Sequence, residues 1–380
     1  MPGVLKTLFW GSTGLLLYTH AGYPLLLRAL AGPAPPEAHE GEASPPHELP
    51  SVSLIIAAYD EEEVIAAKVR GALALDYPRE RLEVVVASDG SGDRTAARAR
   101  EAGADLVLEL PRGGKIRAQD RAVEEAAGEI LAFSDANSTW APDALRRLVG
   151  PFFEDERTGY VCGQVRFVNV AGTNQEGLYW RYEMAVRELE SRLAGVTAGN
   201  GAIYAVRREA YLVVDPRMSH DLSFPFNLVK RGWRALYAPE ARAEEKMVPS
   251  IEGEFARKRR MMSHAWAIVL EGGLLSPRGY PATYALEILS HRVLRYGSPF
   301  LHLAALGSSA ALRGRRRVYA AALAAQLGLL GAAALGPVVS ARPFRLAYYF
   351  VLVTASLAAG LLDHLRTGTP AEWDKAEGTR

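Results

Sequence analysis

Leu82-Glu83-Val84-Val85-Val86-Ala87-Ser88-Asp89-Gly90-Ser91-Gly92-Asp93 reads as a strand that ends on a carboxylate, turns through glycines and opens a helix. The β-branched Val84-Val85-Val86 centre suits a buried strand. Asp93 is placed to cap the helix, which runs to about Ala102. The same grammar recurs on both sides. Strands are expected over Val52–Ala58, Asp105–Leu110 and Glu129–Ser134. Helices are expected over Glu61–Leu75 and Ile116–Ala127, the first with acidic residues in its opening turn. Such alternation predicts an α/β fold: a mainly parallel sheet with helices on both faces, over residues 51–240. Asp89 and Asp135 each end a short apolar run that reads as a buried strand, and carboxylates at strand ends sit where open α/β sheets bind ligands.

The chain has 380 residues, enough for one large catalytic domain plus membrane helices. A net charge of +1 gives no field to attract nucleic acid. Cys162 is the one cysteine, so there is neither an internal disulfide nor a zinc-thiolate cluster.

Apolar residues are unevenly spread. Leu8–Leu27 is almost free of charge and about the 20 residues that span a bilayer. Residues 1–31 are therefore expected to form a membrane helix. A signal peptide is the rival reading, since Ala29-Leu30-Ala31 has the form of a cleavage site. Residues 32–50 are Pro-, Glu- and Ala-rich and read as a linker. Tyr296–Leu312, Val318–Val338 and Leu346–Leu362 are three apolar stretches, and 296–365 is expected to hold crossing helices; the middle stretch is long enough to span, while the outer two are short and are open to a tilted-in, interfacial or buried reading. Residues 241–295 read as a basic amphipathic interface region and 366–380 as a polar tail.

The chemistry lies in the strand-end motifs. Ala57-Ala58-Tyr59-Asp60-Glu61-Glu62 follows the first strand, and Gly113-Gly114-Lys115 opens a helix. Lys115 is either a diphosphate ligand or a solvated lysine in a turn. Ser134-Asp135-Ala136-Asn137 offers one carboxylate and one amide oxygen, the hard donors a divalent cation takes. Ser219-His220-Asp221 precedes an apolar helix. Arg257 and Arg260 lie on a basic segment suited either to a diphosphate or to anionic lipid headgroups.

Together these motifs resemble membrane-bound family 2 glycosyltransferases of the cellulose, chitin and hyaluronan synthase type. The resemblance covers roughly Tyr23 to Leu294. It implies a GT-A fold and inverting transfer from a nucleotide-sugar, of UDP type, to a lipid-linked or growing glycan acceptor. Ala58, Tyr59, Glu61, Asp89, Lys115, Arg257 and Arg260 would hold the donor, with Asp89 on the uracil edge. Asp135 and Asn137 would hold Mg2+ or Mn2+, and Asp221 would be the catalytic base. Trp180, Tyr182 and Glu183 would face the sugar. The catalytic domain would lie in the cytosol against the plasma membrane.

Four features depart from the family pattern. Asp60 stands where Asn is usual, Gln119-Asp120 where Leu-Asn is normal, Asn137 where a second Asp is common, and His220 where the first of two acids is expected. The region after Phe255 also lacks the Gln and adjacent Trp of processive members. Two other readings stay open. One is a catalytically impaired membrane scaffold. The other is a sugar nucleotidyltransferase, although Ala57–Glu61 lacks the Gly-rich basic loop that chemistry needs. The sequence names neither the sugar nor the oligomeric state.

Overall fold

The computed structural model describes residues 2–32, 49–168, 177–246 and 251–371. Most of the expected linker and of the polar tail lies outside them. Eight strands form one sheet: β1 Val52–Ala58, β2 Leu82–Asp89, β3 Leu106–Leu110, β4 Ile130–Asp135, β5 Thr139–Trp140, β6 Thr158–Val168, β7 Tyr204–Arg207 and β8 Arg234–Lys246. Their order is β3-β2-β1-β4-β7-β6-β8-β5. β1 pairs in parallel with β2 and β4, and β2 with β3. β7 runs antiparallel to both β4 and β6, while β6 and β8 are parallel. The sheet is thus mainly parallel, with β7 and β5 reversed.

β1, β2 and β4 are buried along nearly their whole length, which is why they read as continuous apolar runs rather than as alternation. The core divides into two layers. One holds Ile55, Val85, Leu131 and Phe133 under the helix Lys115–Glu125; the other holds Leu54, Val84 and Ile130 with Ile65, Val69 and Leu145. β8 carries the sheet past the expected domain boundary at residue 240, through the Val168↔Lys246 pairing.

The membrane-type segments form a bundle against this domain. The first is helical from Pro2 to Ala31, with a wider π turn at Tyr18–Gly22. Its carboxy-terminal end is fastened to the domain: Arg192 donates to the carbonyls of Ala31 and Gly32, and Tyr23 donates to Glu190 over 2.7 Å. At the far end Phe9 meets Tyr319 edge-on at 4.8 Å, beside buried Leu312. The helix Ser298–Leu312 therefore runs away from the domain.

Among the described residues, Arg317–Leu335 and Arg342–Thr367 are long and apolar enough to cross a bilayer. They differ in surroundings. Arg317–Leu335 is nearly bare. The second half of Arg342–Thr367 instead lies on the helix Ile251–Leu270, which faces the catalytic domain. Trp266 donates to the Leu357 carbonyl over 2.8 Å, Arg259 pairs with Asp363, and Ser263 bonds Thr369. Gly360 permits this approach, since a Cβ there would stand 2.6 Å from the Met262 side chain. Leu346–Leu362 is thus partly covered by the helix Ile251–Leu270.

Candidate active site

The strand ends of β1, β2 and β4 open into a cavity of about 520 Å3. It is closed by the helix Gly177–Leu193, the helix His220–Lys230, and the helix Ile251–Leu270. Of the residues expected from sequence, Ala58, Tyr59, Glu61, Asp89, Lys115, Asp135, Asn137, Asp221, Arg257 and Arg260 all line it.

At the β1 end, Asp60 takes a left-handed conformation, φ 48°, the only non-glycine residue at positive φ among the described residues. Asp and Asn tolerate that region better than other residues. Its carboxylate accepts the Gly92 amide at 2.7 Å and its own amide donates to Ser91, so Asp60 ties the β1 turn to the β2 turn. An Asp can thus fill the place of the usual Asn, because the position needs a short acceptor in a left-handed turn.

Asp89 is 3% exposed and serves the neighbouring loop. It accepts the amides of Gly113 at 2.7 Å and Gly114 at 2.9 Å, and pairs with Arg112 at 2.7 Å. Gly90 makes room for this loop: at φ +69°, a Cβ there would lie 2.7 Å from the Arg112 amide. Arg112 in turn lies over the Tyr59 ring at 3.5 Å. Asp89 therefore organises a Tyr59–Arg112 platform in addition to lining the cavity. Sequence reasoning missed Arg112; its signal was an arginine directly before the Gly-Gly turn.

Asp93 accepts the Thr95 amide at 2.9 Å and the Glu62 amide at 3.1 Å, as expected of a cap. It is not in the cavity lining.

At the β4 end, the turn Asp135–Ser138 is braced from behind by buried Lys68. Its ammonium donates to Ser134 Oγ at 2.6 Å and to the Ser138 carbonyl at 2.8 Å. Burial pulls this lysine down to about 7, against the pull of Asp135. Lys115 forms an ion pair with Asp135 on the cavity side. Burial disfavours the Lys115 charge, but Asp135, Asp221 and Glu245 together hold it above its ordinary value. Glu245, near the end of β8, is a lining residue the sequence reading did not single out. Burial and Asp135 push its carboxyl up to about 7. Asp135, Asn137 and Glu245 thus line one cavity and offer oxygen donors of the kind a hard divalent cation takes.

Asp221 sits in the first turn of the helix His220–Lys230, with Ser219 at the cap position. Its backbone carbonyl accepts the Gly199 amide at 2.7 Å. No hydrogen bond or ion pair holds its carboxylate among the described residues, so the side chain is not spent on capping. His220 also borders the cavity, but its ring is packed into the aromatic core. It is 2% exposed, stacks on Phe224 at 4.1 Å and shares a 2.9 Å hydrogen bond with Tyr204. Burial, aided by Lys115, lowers it to about 3, so it is neutral. His220 is an aromatic-core residue in the place of the family's first acid.

Of the three expected acceptor-side residues, Trp180 and Glu183 line the cavity and Tyr182 does not. Trp180 is pinned by a 2.9 Å bond to the Val165 carbonyl and an edge contact with Phe167. Tyr182 packs instead with the amino-terminal helix. Burial would raise Glu183, but Arg295 and His291 hold it well below the usual range. His291 also meets Glu190 at 2.7 Å. This buried network joins the helix Gly177–Leu193 to the segment that leads into the bundle. Arg257 and Arg260 enter the cavity with Lys258, so part of the basic face of Ile251–Leu270 is turned to the site.

Residues 50–263 match the family model described as "Glycosyltransferase like family 2", and the chain belongs to that family. A beta-monoglucosyldiacylglycerol synthase of Trichormus variabilis is 31% identical over 52% of this chain and 45% of its own length. A poly-beta-1,6-N-acetyl-D-glucosamine synthase of Staphylococcus aureus is 25% identical over 51% of this chain and 49% of its own. The chain thus spans about half the length of these curated relatives. A solved mannosyltransferase of Pyrobaculum calidifontis, in complex with GDP-Man and Mn2+, superposes with a TM-score of 0.70 at 24% identity. It covers 96% of this chain and 99% of its own, and it shows the shared GT-A fold extending into the helical bundle.

Proposed function

We propose that this protein transfers a sugar, with inversion, from a nucleotide-sugar of UDP type to a hydroxyl on a lipid-linked or growing glycan acceptor. The observation that carries this reading is the unheld carboxylate of Asp221, in one cavity with Asp135 and the Tyr59–Arg112 platform. The nucleotide base would lie on that platform. Asp135 and Asn137 would hold Mg2+ or Mn2+, which on binding supplies charge for the leaving diphosphate. Lys115, Arg257 and Arg260 add positive charge there. Asp221 takes the proton from the acceptor hydroxyl as it attacks the anomeric carbon. The mannosyltransferase in complex with GDP-Man and Mn2+ supports a sugar-nucleotide donor and a divalent ion, and the names of the two synthases support a glycolipid or glycan product. A titration of the detergent-purified chain with UDP, GDP and their sugars, with Mn2+ or Mg2+ and then with chelator, tests donor and metal together. Metal-dependent binding of a UDP-sugar is expected; equal binding in chelator would remove the metal role.

We infer that the catalytic domain faces the cytosol at the plasma membrane, with residues 2–31, 298–312 and 317–335 crossing. The last long helix returns on the domain side. This places the Arg313–Arg317 cluster beside the chain's amino terminus, against the positive-inside tendency. Reporters fused at the amino terminus and after Gly314 are expected to agree with each other and to oppose one fused at the domain. A cytosolic signal after Gly314 would mean that 298–312 does not cross.

A further inference from the structure

We propose that Glu245 supplies the second negatively charged ligand of the divalent-metal site, the charge that Asn137 leaves out. The inference rests on the metal reading above and deepens it. β5 begins two residues after Asn137 and pairs antiparallel with the end of β8, matching Thr139 with Glu244 and Trp140 with Ala243. The carboxylate-bearing turn and the end of β8 are therefore neighbours by hydrogen-bonded register. Strand alternation then sorts the two glutamates. Ala243 is buried, Glu244 is exposed, and Glu245 turns inward to line the cavity with Asp135 and Asn137.

Glu245 is half-buried, yet its carboxylate has no hydrogen bond or ion pair among the described residues. Lys115 is engaged with Asp135, and Lys68 with Ser134 and Ser138. A carboxylate withdrawn from water without a partner is costly. The Asp135 carboxylate lines the same cavity, so two negative charges oppose each other there. A divalent cation between the two would cancel both charges. The Asn137 amide, water and donor phosphate oxygens would complete an oxygen shell. The neutral amide is then tolerable because the second charge comes from another strand.

The test uses the full chain in detergent and Mn2+ as the probe, followed by the loss of the free-Mn2+ electron paramagnetic resonance signal. Glu245→Gln is expected to weaken Mn2+ binding by at least about tenfold, as loss of a charged oxygen ligand should. Adding Asn137→Asp to that variant is expected to restore most of the affinity, which a merely misfolded Glu245→Gln protein would not show. Wild-type affinity in Glu245→Gln, with binding lost in Asp135→Ala, would overturn this proposal and make Glu245 a simple counter-charge for Lys115 and Arg257. Unchanged binding in Asp135→Ala as well would overturn the metal reading on which it rests.

Discussion

Asp221→Asn is expected to cut sugar transfer by about 100- to 10,000-fold, the usual contribution of a positioned base, while leaving folding and donor binding intact. The fold should survive because Ser219 holds the cap position and the Asp221 carboxylate makes no bond that the amide would break. Donor binding should persist because the groups proposed for it lie on other elements: Arg112 on the loop after β3, Lys115 on the following helix, and Asp135 on β4. The expected signature is a fall in kcat with the donor Kd unchanged. Near wild-type transfer by a folded Asp221→Asn protein would make Asp221 a bystander.

His220→Glu, which restores the family's usual acid, is expected to give no gain in transfer and to destabilise the protein by about 3 kcal/mol or more. The ring is packed among Phe133, Tyr204, Tyr211 and Phe224, and Tyr204 is its polar partner. A carboxylate there would face aromatic carbon. The same burial predicts a pH dependence. The folded-state value of about 3 lies below the unfolded value near 6.5. Between these limits the unfolded chain takes up the proton, so stability falls as pH drops from about 6.5 toward 3. His220→Phe should flatten that part of the melting-temperature profile. A more stable or more active His220→Glu would show that the position belongs to the chemistry.

The first half of the sheet was legible because β1, β2 and β4 are buried on both faces and read as unbroken apolar runs. The second half was not. β8 is Arg-Ala-Leu-Tyr-Ala-Pro-Glu-Ala-Arg-Ala-Glu-Glu-Lys, poor in β-branched residues, and it is held as a strand by β6 rather than by its own propensity. Glu245 was missed for that reason. Without the register of β5 on β8, nothing in the local sequence separates it from Glu244. Arg112 was hidden by a different cause: its role depends on Asp89 and Tyr59, which precede it on two other segments. Leu346–Leu362 shows a third limit. Hydropathy reports that a helix avoids water, but it does not distinguish lipid from the face of another helix.

The proposed activity is metal-dependent sugar transfer from a nucleotide-sugar. It is tested most directly by following nucleoside diphosphate release, sugar nucleotide by sugar nucleotide, from the purified protein in lipid nanodiscs supplied with a membrane lipid extract. The expected result is release from a UDP-sugar that requires Mn2+ or Mg2+ and is lost in both Asp135→Ala and Asp221→Asn. Release that is indifferent to both substitutions, or none from any donor by a folded wild-type protein that binds it, would contradict metal-dependent transfer by this site.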